Sequence, residues 1–430
     1  MKELQHLKKL SSVKSVTGIK FLSPAVSPGC HCPMRMAAIT ANNIEGLSSL
    51  LVGTPECTTH VRLYNPKPEG KHGEMHWLYV LDANEVVFGC REGLTDALRK
   101  MDKEGAKAIL MIGTCIPELI GEDMEAVIHE VQHELSASVT HVMLGQFKNF
   151  SYPPGYWKTM ETLVNLMKNQ KKNSVQINVL GRNPREEHIP LPSLFIQLEN
   201  KGLKLRYVAP GATLDDIQTA PDAALNLVVS PYAQPMAVRM EQEFSIPYIS
   251  LHTAFSVEST DRAYEEIANM FGFVWKNEFT KERKKALESE QDAAERLWGL
   301  KYVCSPGVSM PLALATYLTG FGMEPLLIHM EEFYPEDKVH SKSLLALGQN
   351  PAVCRMVDAE SDMTVIKNLN PDICFGNLPP RNKTVPNVDN MMKLYGVVGY
   401  DLTIKILSQT INVLDKAGIN GKGEKIYGTA

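Results

Sequence analysis

The sequence predicts an α/β protein built from three Rossmann-like domains, with parallel sheets flanked by helices. The first observation is that short apolar runs alternate with amphipathic helical patterns along the chain. The second is the run of residues 108–112, which is apolar without a break, as expected of a strand covered on both faces. The length of 430 residues also exceeds what one hydrophobic core usually fills.

Breaks in this pattern predict the domain boundaries. Residues 1–27 are polar and basic with little periodicity, so we expect an N-terminal extension there. A cluster-binding Rossmann-like domain over 28–170 would end in the charged stretch at residues 168–174. The second Rossmann-like domain is predicted over 171–300, and the third, with a C-terminal helix, over 301–430.

Local patterns predict the elements that surround the candidate site. We expect a helix over residues 34–44, a strand over 48–52 and a proline- and glycine-rich loop over 64–76. The apolar residues at 85–89 predict the next strand, and in the third domain residues 363–366 also predict a strand.

Composition excludes several classes of protein. The formal net charge of -5 and the absence of a long basic run argue against nucleic acid as a partner. No apolar run is long enough for a membrane span, and residues 1–10 lack the apolar region of a secretory signal. We therefore expect a cytoplasmic protein, whose 8 cysteines serve as thiols or metal ligands rather than as disulfides.

Three cysteines lie where elements are predicted to begin or end: Cys32, Cys57 and Cys115. Cys115 follows the apolar strand at its carboxyl end, which is where open α/β sheets keep their chemistry. Cysteine thiolates hold iron–sulfur clusters, and the ligands need not be contiguous in the chain. The alternative is three buried, inert cysteines. A zinc site has less support because the paired Cys-x-x-Cys spacing is absent.

The remaining cysteines are weaker candidates. Cys30 lies two residues before Cys32 and could replace it as a ligand, whereas Cys90 lies at a predicted strand end and is interpreted as structural. Cys304, Cys354 and Cys374 fall in or near predicted core elements and are interpreted as packing. The sequence has no phosphate-binding P-loop, no dinucleotide fingerprint and no nucleophile elbow.

Several motifs together resemble nitrogenase component 1 and its relatives, and most closely the β-type chain. They are Gly53–Cys57, Val87–Gly89, Thr114–Asp123, Asn226–Tyr232, Met240–Tyr248 and Pro371–Gly376. The spacing of Cys32, Cys57 and Cys115 fits that chain, which favours Cys32 over Cys30. The resemblance covers about residues 28–415.

The resemblance implies three Rossmann-like domains and an iron–sulfur cluster, 4Fe-4S or a larger P-cluster-like one, at a subunit interface. It implies electron transfer from a separate ATP-dependent iron–sulfur reductase of the component 2 type. The expected partner is an α-type homologous subunit, or a second copy in a homo-oligomer. Ser151 lies in the loop where the β-type chain carries a cluster-adjacent serine. The family includes dark-operative protochlorophyllide reductase and related reductases, so the fold does not identify the substrate.

Two departures from the α-type chain restrict this expectation. Where that chain has a cysteine that binds the active-site metal cofactor, this sequence has Ser230. The second ligand of that cofactor would be a histidine after Asp372, and residues 376–400 contain none. We therefore expect a β-type subunit, or a relative that acts on an organic substrate.

Three functional hypotheses remain open from the sequence. The first is the redox subunit of a nitrogenase-like oxidoreductase, and the second is a scaffold for metal-cofactor assembly without turnover of its own. The third is a metal-free α/β binding protein whose cysteines only pack.

Overall fold

The computed structural model describes residues 4–23, 32–62, 69–149, 151–183, 189–356, 359–379, 384–389 and 391–421. In chain order, the strands in these ranges are β1 (Lys8–Lys9), β2 (Lys20–Phe21), β3 (Leu47–Gly53), β4 (His76–Val80), β5 (Ala108–Gly113), β6 (Ser138–Met143), β7 (Asn173–Leu180), β8 (Lys204–Val208), β9 (Ala223–Val228), β10 (Tyr248–Ser250), β11 (Lys301–Cys304), β12 (Glu324–His329), β13 (Ala352–Arg355), β14 (Ile373–Phe375) and β15 (Asn387–Val388).

The helices, in chain order, are α1 (Pro33–Asn42), α2 (Pro55–Arg62), α3 (Ala83–Phe88), α4 (Arg91–Lys103), α5 (Cys115–Ile120), α6 (Met124–Val131), α7 (Pro153–Thr162), α8 (Ser193–Asn200), α9 (Leu214–Thr219), α10 (Gln234–Phe244), α11 (Val257–Phe271), α12 (Thr280–Arg296), α13 (Pro311–Gly320), α14 (Asp337–Ala346), α15 (Ala359–Leu369) and α16 (Tyr400–Ala417). None of the helices in the described ranges is long and apolar enough to cross a membrane.

The strands form three sheets, and the expected α/β class with parallel sheets is confirmed. The first sheet has the order β4-β3-β5-β6, the second β10-β9-β7-β8, and the third β1-β13-β12-β11-β14-β15, with β2 also pairing to β13. One compact unit, 30–187 with 198–249, contains the two four-stranded sheets; the other, 1–29 with 188–197 and 250–430, contains the third. The domain boundaries drawn from the sequence stay predictions.

The centre of the first sheet determines where the candidate ligands leave the sheet. β3 and β5 are fully buried and pair in parallel, with Val52 opposite Gly113. The Thr114 N–H donates to the Val52 carbonyl at 3.1 Å, which continues the pairing one residue further. The segments that follow the two strands therefore start at the same edge of the sheet.

The expected strand over 85–89 is wrong, because α3 occupies residues 83–88. The Asp82 side chain accepts the N–H groups of Asn84 and Glu85, and Glu85 reaches back to the Asp82 N–H, a capping box that begins a helix. The strand of this region is β4, which overlaps the end of the predicted loop.

Two further differences concern the third sheet. Residues 363–366 belong to α15 rather than to a strand, and Met363 and Ile366 are buried at the spacing of one helical turn. Residues 1–27, expected to be an extension, contain β1 and β2, which pair with β13 on the third sheet. A two-residue strand carries too little periodicity to be recognised in a sequence.

We expect Leu10→Ala to lower the free energy of unfolding by about 2–5 kcal/mol, because truncating a fully buried leucine leaves a cavity. Leu10 follows β1, has no exposed surface, and its N–H donates to the Pro351 carbonyl. Urea unfolding followed by circular dichroism measures the loss. Lys9→Ala, at an exposed position, should change stability by less than about 0.5 kcal/mol. Equal effects of the two substitutions would contradict the burial of Leu10.

Candidate metal centre

Each of the three candidate thiols lies at the start of a helix. Cys32 immediately precedes α1, Cys57 is the third residue of α2, and Cys115 is the first residue of α5. Cys57 therefore lies inside a short helix after β3. All three side chains are half-buried, and Cys32 and Cys57 pack against the apolar core of their unit.

Cys32 interacts electrostatically with both of the other candidate thiols. Burial, followed by charge on Cys115 and on Cys57, raises the pKa of Cys32 to about 11, against the N–H groups of Met34 and Arg35, which lower it. Each of the other two thiols thus affects the ionisation of Cys32. That the three cysteines form one ligand group stays a prediction.

Cysteine thiols, the donors of the candidate site, are the ligands that iron–sulfur clusters use. Within the described ranges, no group of three or more His, Cys, Asp or Glu side chains could hold one metal ion. The thiolates of an iron–sulfur cluster bind different iron atoms, so they stand further apart than the ligands of one zinc ion. Because bound iron is positively charged, it would also relieve the repulsion between the thiolates.

Gly53 and Thr114 let the two strand ends approach each other. A Cβ at Gly53 would overlap Thr114 Oγ1 and would lie 3.3 Å from Cys57 Sγ. Thr114 Oγ1 donates to the Val52 carbonyl at 2.8 Å, which fixes the residue before Cys115. A side chain at position 53 would therefore push the two thiol-bearing segments apart.

Two further protein groups donate hydrogen bonds to sulfur atoms, at Cys115 and Cys57. The Gln146 N–H lies 3.2 Å from Cys115 Sγ, and Thr54 Oγ1 lies 3.8 Å from Cys57 Sγ. Such donors stabilise negative charge on sulfur and tune the reduction potential of a bound cluster. Neither residue was identified from the sequence, because one donor is a backbone group and the other a threonine without a motif of its own.

The start of α7 packs on the start of α1, beside Cys32. A Cβ at Gly155 would overlap the carbonyl oxygen of Pro33, so only glycine permits this approach. Ser151, two residues before α7, is buried in the segment that leads to this contact. Its role as a cluster-adjacent serine stays a prediction.

Cys90 faces a carboxylate and is not among the groups that act on Cys32. Its Sγ donates to Glu122 Oε2 at 3.4 Å, and its N–H donates to the same oxygen at 2.9 Å. Burial, followed by the charge of Glu122, raises the pKa of Cys90 to about 12. The neighbouring Glu122 carboxylate disfavours the Cys90 thiolate and any ligand role for it. Cys30, the other alternative, lies outside the described residues.

The other candidate positions have local structural roles. Ser230 has no exposed surface, and its hydroxyl accepts the Tyr232 N–H at 3.2 Å. The hydroxyl thus caps the turn that follows β9. Cys304, Cys354 and Cys374 are fully buried on β11, β13 and β14.

Exposed apolar side chains, which we call the apolar patch, lie on the elements next to Cys115. The patch consists of Val87, Phe88, Leu119, Ile120 and Phe147. Val87 and Phe88 end α3 with 71% and 85% exposure, and α3 contacts α5, which begins with Cys115. The sequence analysis missed the exposure of Val87 and Phe88 because it placed them in a strand over 85–89. The Asp82–Glu85 capping box was the signal for a helix.

The family model of nitrogenase component 1 type oxidoreductases matches residues 32–415. The chain belongs to this family. The solved structure titled "Nitrogenase Cp1 at pH 6.5" superposes with a TM-score of 0.71 at 20% identity, covering 92% of this chain and 94% of that one. The two chains share a fold, and the resemblance drawn from the sequence motifs is confirmed.

Curated relatives include proteins of two kinds. The chain is 26% identical over 281 residues to the nitrogenase iron-molybdenum cofactor biosynthesis protein NifE of Rippkaea orientalis, covering 62% of this chain and 58% of the relative. It is 28% identical over 259 residues to NifE of Clostridium pasteurianum, covering 58% and 56%. A light-independent protochlorophyllide reductase chain of Gloeothece citriformis is 26% identical over 216 residues, covering 44% and 40%. The matched stretch thus spans less than two thirds of each of these relatives.

We expect Gly155→Ala to lower the free energy of unfolding by about 1–3 kcal/mol, because the added methyl group forces α7 away from Pro33. Alkylation of Cys32 in the iron-free protein should become faster for the same reason. Thermal unfolding and mass spectrometry after timed iodoacetamide treatment measure the two effects. Gly320→Ala is the control, since its Cβ would meet no described atom within 4 Å. Unchanged stability and alkylation in Gly155→Ala would show that the contact is loose.

Proposed function

We propose that this chain is the redox subunit of a multi-component, cytoplasmic nitrogenase-like oxidoreductase. It would pass low-potential electrons from an ATP-dependent 4Fe-4S reductase, through an iron–sulfur cluster at a subunit interface, to a substrate or to a partner subunit. The observation that carries this proposal is the electrostatic interaction of Cys32 with Cys57 and Cys115, the last two lying after strands that end at one edge of the first sheet. When bound, the cluster supplies one-electron transfer at low potential.

The residues around the thiols have defined tasks in this proposal. Cys32, Cys57 and Cys115 would bind iron as thiolates, and the N–H of Gln146 and the hydroxyl of Thr54 would stabilise the sulfur charge. Packing of Cys32 and Cys57 against the apolar core keeps water away from one side of the site. A low local dielectric strengthens each of these hydrogen bonds.

The number of candidate thiols supports placing the cluster at a subunit interface. A 4Fe-4S cluster usually takes four thiolates, and the ligand set proposed for this chain has three. Their half-buried state leaves part of the site open toward solvent. An α-type homologous subunit, or a second copy of the chain, would supply the remaining ligand and cover the open side.

The apolar patch supports docking of the reductase. Val87, Phe88 and Phe147 are exposed by 71%, 85% and 62% next to the segments that carry Cys115 and Gln146. Several large apolar side chains exposed on neighbouring elements are typical of protein interfaces. A reductase bound to the patch would lie beside the thiols, which shortens the electron path to the cluster.

A second candidate function is a scaffold on which a metal cofactor is assembled. The observation in its favour is the similarity to NifE proteins, which are named for cofactor biosynthesis. The two functions differ in the fate of electrons. With reductase, ATP and reductant, the redox subunit consumes electrons continuously when its substrate is present. A scaffold stops after reduction of its bound metal and releases a cofactor that activates another protein.

We expect Cys115→Ser to lose at least about half of the bound iron and acid-labile sulfide, together with the absorbance that dithionite bleaches, because serine is a poor cluster ligand. Iron, sulfide and visible spectra are measured on anaerobically purified protein. Cys90→Ser is the matched control: serine can still donate to Glu122, so cluster content should be retained. A Cys115→Ser protein with full cluster content and electron transfer would overturn the assignment.

We expect Val87→Asp to slow ATP-dependent reduction of the cluster by its reductase at least about tenfold, because a charge at the centre of an apolar interface weakens docking. Stopped-flow absorbance measures this rate, and iron content should not change. Val274→Asp replaces another exposed valine, at 75% exposure in the other compact unit, and should leave the rate unchanged. Equal rates in the two variants would mean that the reductase docks elsewhere.

A further inference from the structure

A buried group of acids lies at the carboxyl edge of the third sheet. β12 ends at His329, and the chain then turns into α14, where Glu336 and Asp337 stand at the helix start. Asp337 is 1% exposed, and the carboxyl oxygens of Glu336 are also shielded from solvent. Open α/β sheets bind ligands outside the carboxyl ends of their strands, so an unusual group at this edge is of functional interest.

The carboxyl groups are buried without the hydrogen bonds that ionised carboxylates need. Asp337 Oδ2 accepts the Tyr334 N–H at 2.8 Å. Asp337 Oδ1 and both oxygens of Glu336 have no hydrogen-bond partner among the described residues. Burying an ionised carboxylate in this state costs several kcal/mol, and protonation removes most of that cost.

Other titratable groups surround the pair. His252, from the segment after β10, places Nε2 at 3.9 Å from Glu336 Oε1 and is itself buried. Charge on Glu332 acts on Asp337. The further ionisable side chains of these neighbouring segments are His329, Glu331, Tyr334, Lys338, His340, Lys342 and Arg355.

The tautomer of His329 is defined by the backbone. Its Nδ1 accepts the Met356 N–H at 2.8 Å, so the neutral ring carries its proton on Nε2, which lies 3.6 Å from Glu331 Oε1. At that distance His329 Nε2 makes no hydrogen bond to the Glu331 carboxyl group. The carboxyl oxygens of Glu336 and Asp337 Oδ1 likewise receive no hydrogen bond from the described residues.

Burial affects the ionisation of Glu336 and Asp337 more than the dipole of α14 does. The positive end of α14 favours ionised acids by about 0.3–1 kcal/mol. Burial nevertheless raises the pKa of Glu336 to about 7, and burial followed by charge on Glu336 and Glu332 raises the pKa of Asp337 to about 7. Two neighbouring acids that repel each other titrate as a coupled pair.

We propose that Glu336 and Asp337, with His252 beside them, form a buried proton-binding site that holds an exchangeable proton at neutral pH. A proton leaves by cleavage of a carboxyl O–H bond, the carboxylate remains, and water later returns a proton to it. The proton binding does not rest on the proposed function.

Infrared spectra of the full chain between pH 6 and pH 9 test the proton binding. We expect a protonated-carboxyl band at pH 6 that disappears by pH 9 and shifts in heavy water. Glu336→Gln and Asp337→Asn should each remove about half of the band, because one of the two acids remains. Glu288→Gln, at an exposed acid, should leave it unchanged. A wild-type chain without the band at pH 6 would overturn the proposal.

Stability gives a second readout. Burial raises the pKa of Glu336 in the folded chain to about 7, whereas its value in the unfolded chain is about 4. As pH rises between these two values, the unfolded chain loses this proton and the folded chain keeps it, so the folded chain becomes less stable. Glu336→Gln should therefore raise Tm by about 2 °C or more at pH 8 and by much less at pH 5. A Tm difference independent of pH would contradict the proposal. Both measurements are repeated on the Cys115→Ser chain. A carboxyl band that persists there would show that proton binding does not depend on the cluster, so the two proposals can fail separately.

Discussion

The parallel pairing of β3 with β5 is the constraint on which the candidate metal centre depends. Both strands are fully buried, and Val52 lies opposite Gly113, so the chain leaves the sheet twice at one edge. A shift of the register by one residue would move Cys57 and Cys115 relative to each other and would exchange the side chains packed on the two faces of the sheet. The free energy of apolar burial thus maintains the ligand geometry without any contribution from the ligands themselves.

Much of this centre could be predicted from residue types and their order. The uninterrupted apolar run before Cys115 identified a buried strand, and the expectation that a thiol follows its carboxyl end is correct. The grouping of Cys32, Cys57 and Cys115 was reached through motif spacing, because pairing between distant segments leaves no local signal. The electrostatic coupling of the three thiols supports that grouping.

The differences have local physical causes. Residues 85–89 are apolar and resemble a strand, yet the hydrogen bonds of Asp82 start a helix there and leave Phe88 exposed. That error concealed part of the apolar patch. Residues 8–9 and 20–21 pair with β13, and two residues are too few to show the alternation that strand prediction requires. The carboxyl pair at 336–337 was missed because acids at a helix start are ordinary in sequence, and only their burial makes them unusual.

The contrast between Cys90 and the three candidate ligands has a consequence for chemical damage by oxygen. Sulfur is oxidised to sulfenic and then to sulfinic acid as the exposed thiolate, so a buried thiol that keeps its proton is largely inert. Cys90, Cys304, Cys354 and Cys374 are buried, whereas Cys32, Cys57 and Cys115 are partly accessible. Loss of a cluster in air would therefore direct oxidative lesions to the three sulfur atoms needed for its reinsertion. The damage would leave the core intact and the chain folded, but without the capacity to be reconstituted.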